Sequence, residues 1–393
     1  MDEPISTYLN PFVSLVPEIS FSKSNVSFMK NFLTRIHKNN LLWKKQKIIE
    51  LSPSQEHPLD YSSIPSSIRE NIEQKCTHQK CYKIEWKQRT FFLHFYLDRV
   101  YSPYEIRKKL QRIFLWLVMV VQSASSPPCS PILHIYFYFT DMKKELPKQS
   151  NEIIHEHHAN TAFTYACSSV HDKSVIYIFR KEEWFRAFIH ETFHHFGLDF
   201  LRLDQSESIK RIQETFHLSH IKDIRVYETY CEVWAEMIQI LFYVSFSSPS
   251  RKNTGNSTRK HKTNTMNNVY KWLKYERLFS LFQCTKVLKF HHIDYFSLLD
   301  NVSIGQRYKE DTQAFCYYIL KCILMVHIDS FLEFCNGKIQ FLLTQENLRK
   351  YTDLILSLAR SDRMREGIGM VEKNKILDSG FQSTLRMSSL EFS

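Results

Sequence analysis

Between residues 80 and 245 the spacing of apolar side chains changes period several times, and each change marks an element. Tyr82–Trp86 and Thr90–Leu97 are rich in aromatic and β-branched residues, and Lys87-Gln88-Arg89 between them reads as a hairpin turn. Residues 104–122 then carry Ile106, Leu110, Ile113, Phe114 and Leu117 at helical spacing, and Pro127, Pro128 and Pro131 end that helix. Ile132–Thr140 returns to strand composition. After a polar stretch, 141–158, two further strands are expected at Asn160–Ala166 and Val175–Arg180. Residues 181–196 and 224–244 read as helices. The apolar run Ile113–Val121 is far short of the roughly 18 residues a spanning helix needs, and Ala314–Val326 is interrupted by Lys321. Both are expected to be buried core helices, with no transmembrane segment.

The flanks are less patterned. Residues 1–75 alternate short apolar patches with Ser/Pro turns and read as an N-terminal extension of unknown role. Residues 246–268 are rich in Ser, Asn and Thr and hold Arg251, Lys252, Arg259, Lys260 and Lys262 without an acid, which suits a basic flexible loop or linker. Residues 269–360 have helical spacing and form a C-terminal helical subdomain. The polar tail, 361–393, is expected to pack loosely. The expected class is α+β: a small mixed sheet with a crossing helix over 76–245, then a mainly helical part.

Composition removes several functions. Only 7 of 393 residues are glycine and the first is Gly197, so neither a phosphate-binding loop nor a dinucleotide fingerprint is present, and no nucleotide cofactor is expected. The net charge of +11 permits an anionic partner without requiring one. Nucleic-acid contact through the basic loop 249–265 is therefore kept as a rival to enzymatic function. Nine scattered cysteines and an acidic start, Met1-Asp2-Glu3-Pro4, point to a reducing, intracellular setting.

The chemistry is concentrated in Phe188-Ile189-His190-Glu191-Thr192-Phe193-His194-His195-Phe196-Gly197. On a helix His190 and His194 share a face and can hold one metal ion through their ring nitrogens. Glu191 reaches the edge of that site, where it can take a proton from a water that the metal has made acidic. Imidazole and carboxylate donors with an open position suit one Zn2+. Chance supplies only about 0.05 His-Glu-x-x-His matches in a chain of this composition. Gly197, three residues past His194, stands where the helix must end and the chain turn, a task for a left-handed glycine. Asp199 follows two residues later and could brace a ligand histidine.

A third ligand is needed. Position 200, where one arrangement would place a histidine, is Phe200. Downstream, Glu228, Glu232 and Glu236 stand four apart on one helix face, among Val233, Trp234, Ala235, Met237 and Ile238. Carboxylates stacked in this way repel one another unless a cation sits among them.

His-Glu-x-x-His followed by Glu232-Val233-Trp234-Ala235-Glu236 on a second helix resembles the gluzincin (thermolysin-like) zinc metallopeptidases. The resemblance covers residues 80–245 and implies a minigluzincin-like core. It makes His190, His194 and Glu232 the metal ligands, Glu191 the general base, and Glu236 the carboxylate that orients a ligand histidine. Glu228 is the alternative third ligand, with Glu232 then orienting a histidine. The departures are Val233 where the family pattern has glycine, and a 37-residue gap between His194 and Glu232. The family's substrate-binding edge strand would correspond to Asn160-Thr161-Ala162-Phe163-Thr164-Tyr165, with Asn160 and Ala162 as its contacts. The resemblance implies peptide or protein substrates and hydrolysis of the peptide bond. An inactive zinc-binding structural or virion-associated protein is the alternative. Trp184-Phe185 ahead of the motif and Gly197-Leu198-Asp199-Phe200 after it also resemble uncharacterised metallopeptidases of large DNA viruses, which would imply host cytoplasm or virion.

Overall fold

The structure is a computed structural model and describes residues 5–53, 58–124, 131–165, 174–247, 258–377 and 381–392. It is α+β. Six strands form one mixed sheet: β1 (Ile48–Leu51), β2 (His78–Trp86), β3 (Arg89–Leu97), β4 (Ile132–Phe139), β5 (Ala162–Thr164) and β6 (Val175–Ile178). Their order is β1-β2-β3-β4-β6-β5. β3, β4 and β6 are parallel, while β1 with β2, β2 with β3, and β5 with β6 are antiparallel. The expected hairpin is present with a tighter turn, because Lys87 takes a positive φ of 54° and Arg89 already belongs to β3.

The parallel pair β3 and β4 needs a crossover, and the helix Pro103–Val121 supplies it. Ser102 and Glu105 form a capping box at its start, with Pro103 in the first turn. From Ile113 to Val120 every side chain is at most 1% exposed, so this crossing helix is core on all sides. One sheet face, with Phe91, Leu93, Phe95 and Phe137, turns toward it and toward the histidine-bearing helix Trp184–His195. The other face presents Tyr96, Tyr138 and Tyr177 to a short helix, Ser66–Lys75, through Ile64, Ile68 and Ile72.

Residues 1–75, read as an extension, are integrated with this core. β1 adds an edge to the sheet, and the helix Lys23–Trp43 buries Met29, Phe32 and Ile36, with Phe28 on Trp234 and Phe32 on Phe242. The expected basic loop is shorter than 246–268. A helix runs Thr258–Phe290, and residues 248–257 lie outside the described residues. The C-terminal part is helical, as expected, and its apolar stretch around Tyr317 contains a π-helical segment, Phe315–Leu320.

The loosely packed tail is a correction. Asp362–Lys373 is a helix, and Leu385, Met387, Ser388 and Leu390 are buried. Two buried carboxylates explain the threading. Backbone amides of Met387 and Ser388 donate to Glu183, and those of Ser389 and Leu390 donate to Glu276. A carboxyl group removed from water needs such donors. Among the described residues no single helix is long and apolar enough to cross a membrane.

Candidate metal centre

The histidine helix begins just after β6 and is buried throughout. Trp116 on the crossing helix donates to Thr192 across 2.7 Å, and Phe193 stacks on Trp116 and Trp234, which fixes the rotation of the helix. His190 and His194 therefore face the second helix, Val226–Ser247, here the glutamate helix. Gly197 ends the first helix with φ +62°, and Leu198 N–H reaches back to the Phe193 carbonyl. This is the expected left-handed stop. The turn brings Asp199 against Nδ1 of His194.

Three donor atoms converge. Nε2 of His190 lies 2.9 Å from Nε2 of His194 and 3.0 Å from Oε2 of Glu228, and His194 Nε2 is 3.4 Å from that same oxygen. The resemblance put Glu232 in this place, and the geometry puts Glu228 there. Both oxygens of Glu232 are engaged elsewhere: Oε1 lies 2.8 Å from Nδ1 of His190, and Oε2 pairs with the buried Arg186. Glu232 thus lies against His190 as an ion-pair partner, while Asp199 is hydrogen-bonded to His194. Glu236 orients neither histidine. One turn further along, it pairs with Lys321 at 2.7 Å.

The donor chemistry fits a divalent cation. A carboxylate against Nδ1 of each ring holds a proton there and leaves Nε2 as a lone pair. Two lone pairs and a carboxylate oxygen then face one another in a buried site. Without a cation, protons must fill that role. Burial alone would lower the histidines, but Glu232 and Glu228 raise His190 to about 9, and Cys231, Glu228 and Asp199 raise His194 well above its usual value. Burial would raise Glu228, but the two histidines hold it well below the carboxylate range. Ligands at about 2.0–2.2 Å in a tetrahedral site stand roughly 3.3–3.5 Å apart, so the triangle would need to open by only a few tenths of an ångström. Imidazole and carboxylate donors suit zinc.

Glu191 sits beside His190 on the rim of a small cavity, and burial raises its carboxyl to about 7. Asn160 and Ala162, the expected substrate contacts, line the same cavity. β5 is the outermost strand of the sheet, but it starts at Ala162 rather than Asn160. The Asn160 carbonyl is taken by Arg180.

Sequence reasoning missed Tyr317, Arg186 and Met387, all of which line this cavity. The Tyr317 hydroxyl is 3.4 Å from Glu228 Oε2. Its π-helical segment is invisible in an apolar run, although such segments often mark functional sites. Arg186 carried a usable signal, being a lone cation on the face of His190 and His194, one turn earlier. Of Tyr227, Tyr230, His291 and His292, residues that could donate to a developing oxyanion, Tyr227 touches the site, edge-on to His194 at 5.6 Å. Tyr230 packs in the aromatic core with Phe200 and Tyr351. His291 packs on Tyr308, and His292 lies near Ser150. Cys76 and Cys81 are free thiols, and among the described residues every candidate ion-binding group includes His194. No protein-family model, no curated protein and no solved structure matches the chain.

Proposed function

We propose that this protein is a zinc-dependent peptidase of gluzincin type, with His190, His194 and Glu228 as the residues that would hold the ion. The observation that carries the reading is the convergence of those three donor atoms beside a buried glutamate and an antiparallel edge strand. When bound, zinc supplies a Lewis acid that polarises a carbonyl and acidifies water. The residues of the chain account for the rest. An extended peptide adds to the open side of β5 through its backbone. Glu191 takes the proton of the attacking water and returns it to the leaving amine. Tyr317, next to Glu228, offers its hydroxyl to the oxygen that gains charge. Glu232 and Asp199 keep both ligand rings turned, and Arg186 holds Glu232.

All seven described cysteines are free thiols, which suits a reducing compartment, and we place the activity inside the cell. The test is metal analysis of the purified chain together with cleavage of a peptide library by wild type and by Glu191→Gln. The expected result is one zinc per chain in both proteins, with cleavage about 10²–10⁴-fold slower for Glu191→Gln. Zinc-loaded wild type that cuts peptides no faster than Glu191→Gln would reduce the site to a structural one.

A further inference from the structure

The end of the helix Lys23–Trp43 meets the start of the crossing helix Pro103–Val121. Gln111 donates to Asn40 across 2.6 Å, and both line an open groove with Trp43, Lys44, Tyr104, Arg107 and Lys108. The lining holds three cations and no acid. Arg107 lies over the Trp43 ring at 5.6 Å and Lys108 over the Tyr104 ring at 4.3 Å. Lys38 and Lys45 add two cations on the same stretch of chain. Among the described residues none of these five forms an ion pair, while Glu105 is taken by Arg99 and Glu85 by Lys83. Cations gathered without acids attract a polyanion.

The same end carries apolar side chains that the core does not use. Ile36, Asn39 and Trp43 form the buried stripe of the first helix, so Lys38, Leu41 and Leu42 turn to solvent. Nine large apolar side chains are exposed among the described residues, and Leu41, Leu42, Val100 and Tyr104 are four of them. Val100, just before the crossing helix, is 69% exposed, and Tyr104, in its first turn, is 66% exposed. Apolar residues scattered singly over a surface need no explanation, but a group rimmed by cations does. A nucleic-acid backbone would use the cations and leave two adjacent leucines in water. An anionic bilayer uses both, because lysine and arginine meet its headgroups while leucine and tyrosine enter the boundary beneath them.

We infer that this end of the molecule is a peripheral docking face for an anionic phospholipid membrane, with a headgroup phosphate in the groove and Leu41, Leu42, Val100 and Tyr104 in the interface. Docking of this kind needs no helix that crosses the bilayer. It also needs neither zinc nor turnover, so it stands or falls apart from the peptidase reading.

The probe is co-sedimentation of the full chain with vesicles of phosphatidylcholine alone, or with about a third of phosphatidylserine. Each cation at such a surface contributes about fivefold, so the anionic vesicles should bind about 100-fold more strongly than the neutral ones. Lys44→Ala, Arg107→Ala and Lys108→Ala together should remove about 100-fold of that affinity. Leu41→Ser with Leu42→Ser should remove about tenfold or more. None of these five side chains is buried, so urea unfolding of both variants should match wild type. A single-stranded oligonucleotide should bind more weakly than the anionic vesicles. Equal binding to both vesicle types, or anionic binding that survives both sets of substitutions, would overturn the face. Oligonucleotide binding that exceeds vesicle binding, depends on the three cations and ignores the leucines would overturn it in favour of nucleic acid. Self-association that is lost with the two leucines, without vesicle binding, would overturn it in favour of a second copy of the chain.

Discussion

Exchanging Glu228 and Glu232 for glutamine, one at a time, separates a metal ligand from the residue that aims one. Glu228 Oε2 stands 3.0 and 3.4 Å from the two Nε2 atoms, whereas Glu232 touches only Nδ1 of His190 and Arg186. Zinc sites bind with about 10–16 kcal/mol over four ligands, or roughly 2.5–4 kcal/mol per ligand. Glu228→Gln should therefore weaken zinc by about 70- to 900-fold. It leaves His190 with Glu232 and His194 with Asp199, so each ring keeps a carboxylate and the metal-free fold should lose less stability than in Glu232→Gln. Glu232→Gln should give the opposite balance. Removing an orienting partner costs about 10–100-fold in metal affinity. Arg186, 2% exposed, would lose its main partner inside the core, at about 3 kcal/mol of stability. That is the low end of such losses, because Glu183 remains 3.5 Å from Arg186. Competition with a chromophoric chelator measures the first quantity, and urea unfolding of the metal-free proteins measures the second. If Glu232→Gln abolishes zinc binding while Glu228→Gln retains it, the ligand assignment is reversed.

Other consequences follow from single positions. Gly197→Val meets no atom within 4 Å of its new Cβ, so its cost is backbone strain at φ +62°, about 1–2 kcal/mol in urea unfolding. Because Asp199 follows two residues later and aims His194, the same change should lower zinc affinity about tenfold or more. Glu310 is buried, and that burial raises its carboxyl to about 8 from an ordinary 4.5. The folded state therefore keeps a proton that the unfolded chain releases, and this contribution is full below pH 4.5 and lost as pH rises through 8. Glu310→Gln should gain stability relative to wild type across that window, and a constant difference from about pH 4.5 to 8.5 would contradict the assignment.

Much of the site was written in local order. A four-residue spacing brings His190 and His194 to one helix face whatever surrounds them, and Glu191 follows necessarily at its edge. The alternation of apolar residues located β2, β3, β4 and the crossing helix to within a few residues, because buried faces impose the period. Gly197 was legible for the same reason, since a positive φ after a helix is a local demand. The choice between Glu228 and Glu232 was not legible. Both occupy one face, four residues or about 6 Å apart along the axis, and the sequence contains no record of how far one helix slides along the other. Packing of Phe193 between Trp116 and Trp234 sets that offset and brings Glu228 level with the two Nε2 atoms. Tyr317, Arg186 and the tail were hidden likewise. Tyr317 depends on a π-helical segment, and residues 387–390 are buried where their amides meet distant Glu183 and Glu276. The sequence alone determined which side chains could do the chemistry and on which helices they stand. The tertiary structure decided which carboxylate meets the histidines, because that choice depends on the relative height of two packed helices, a non-local quantity.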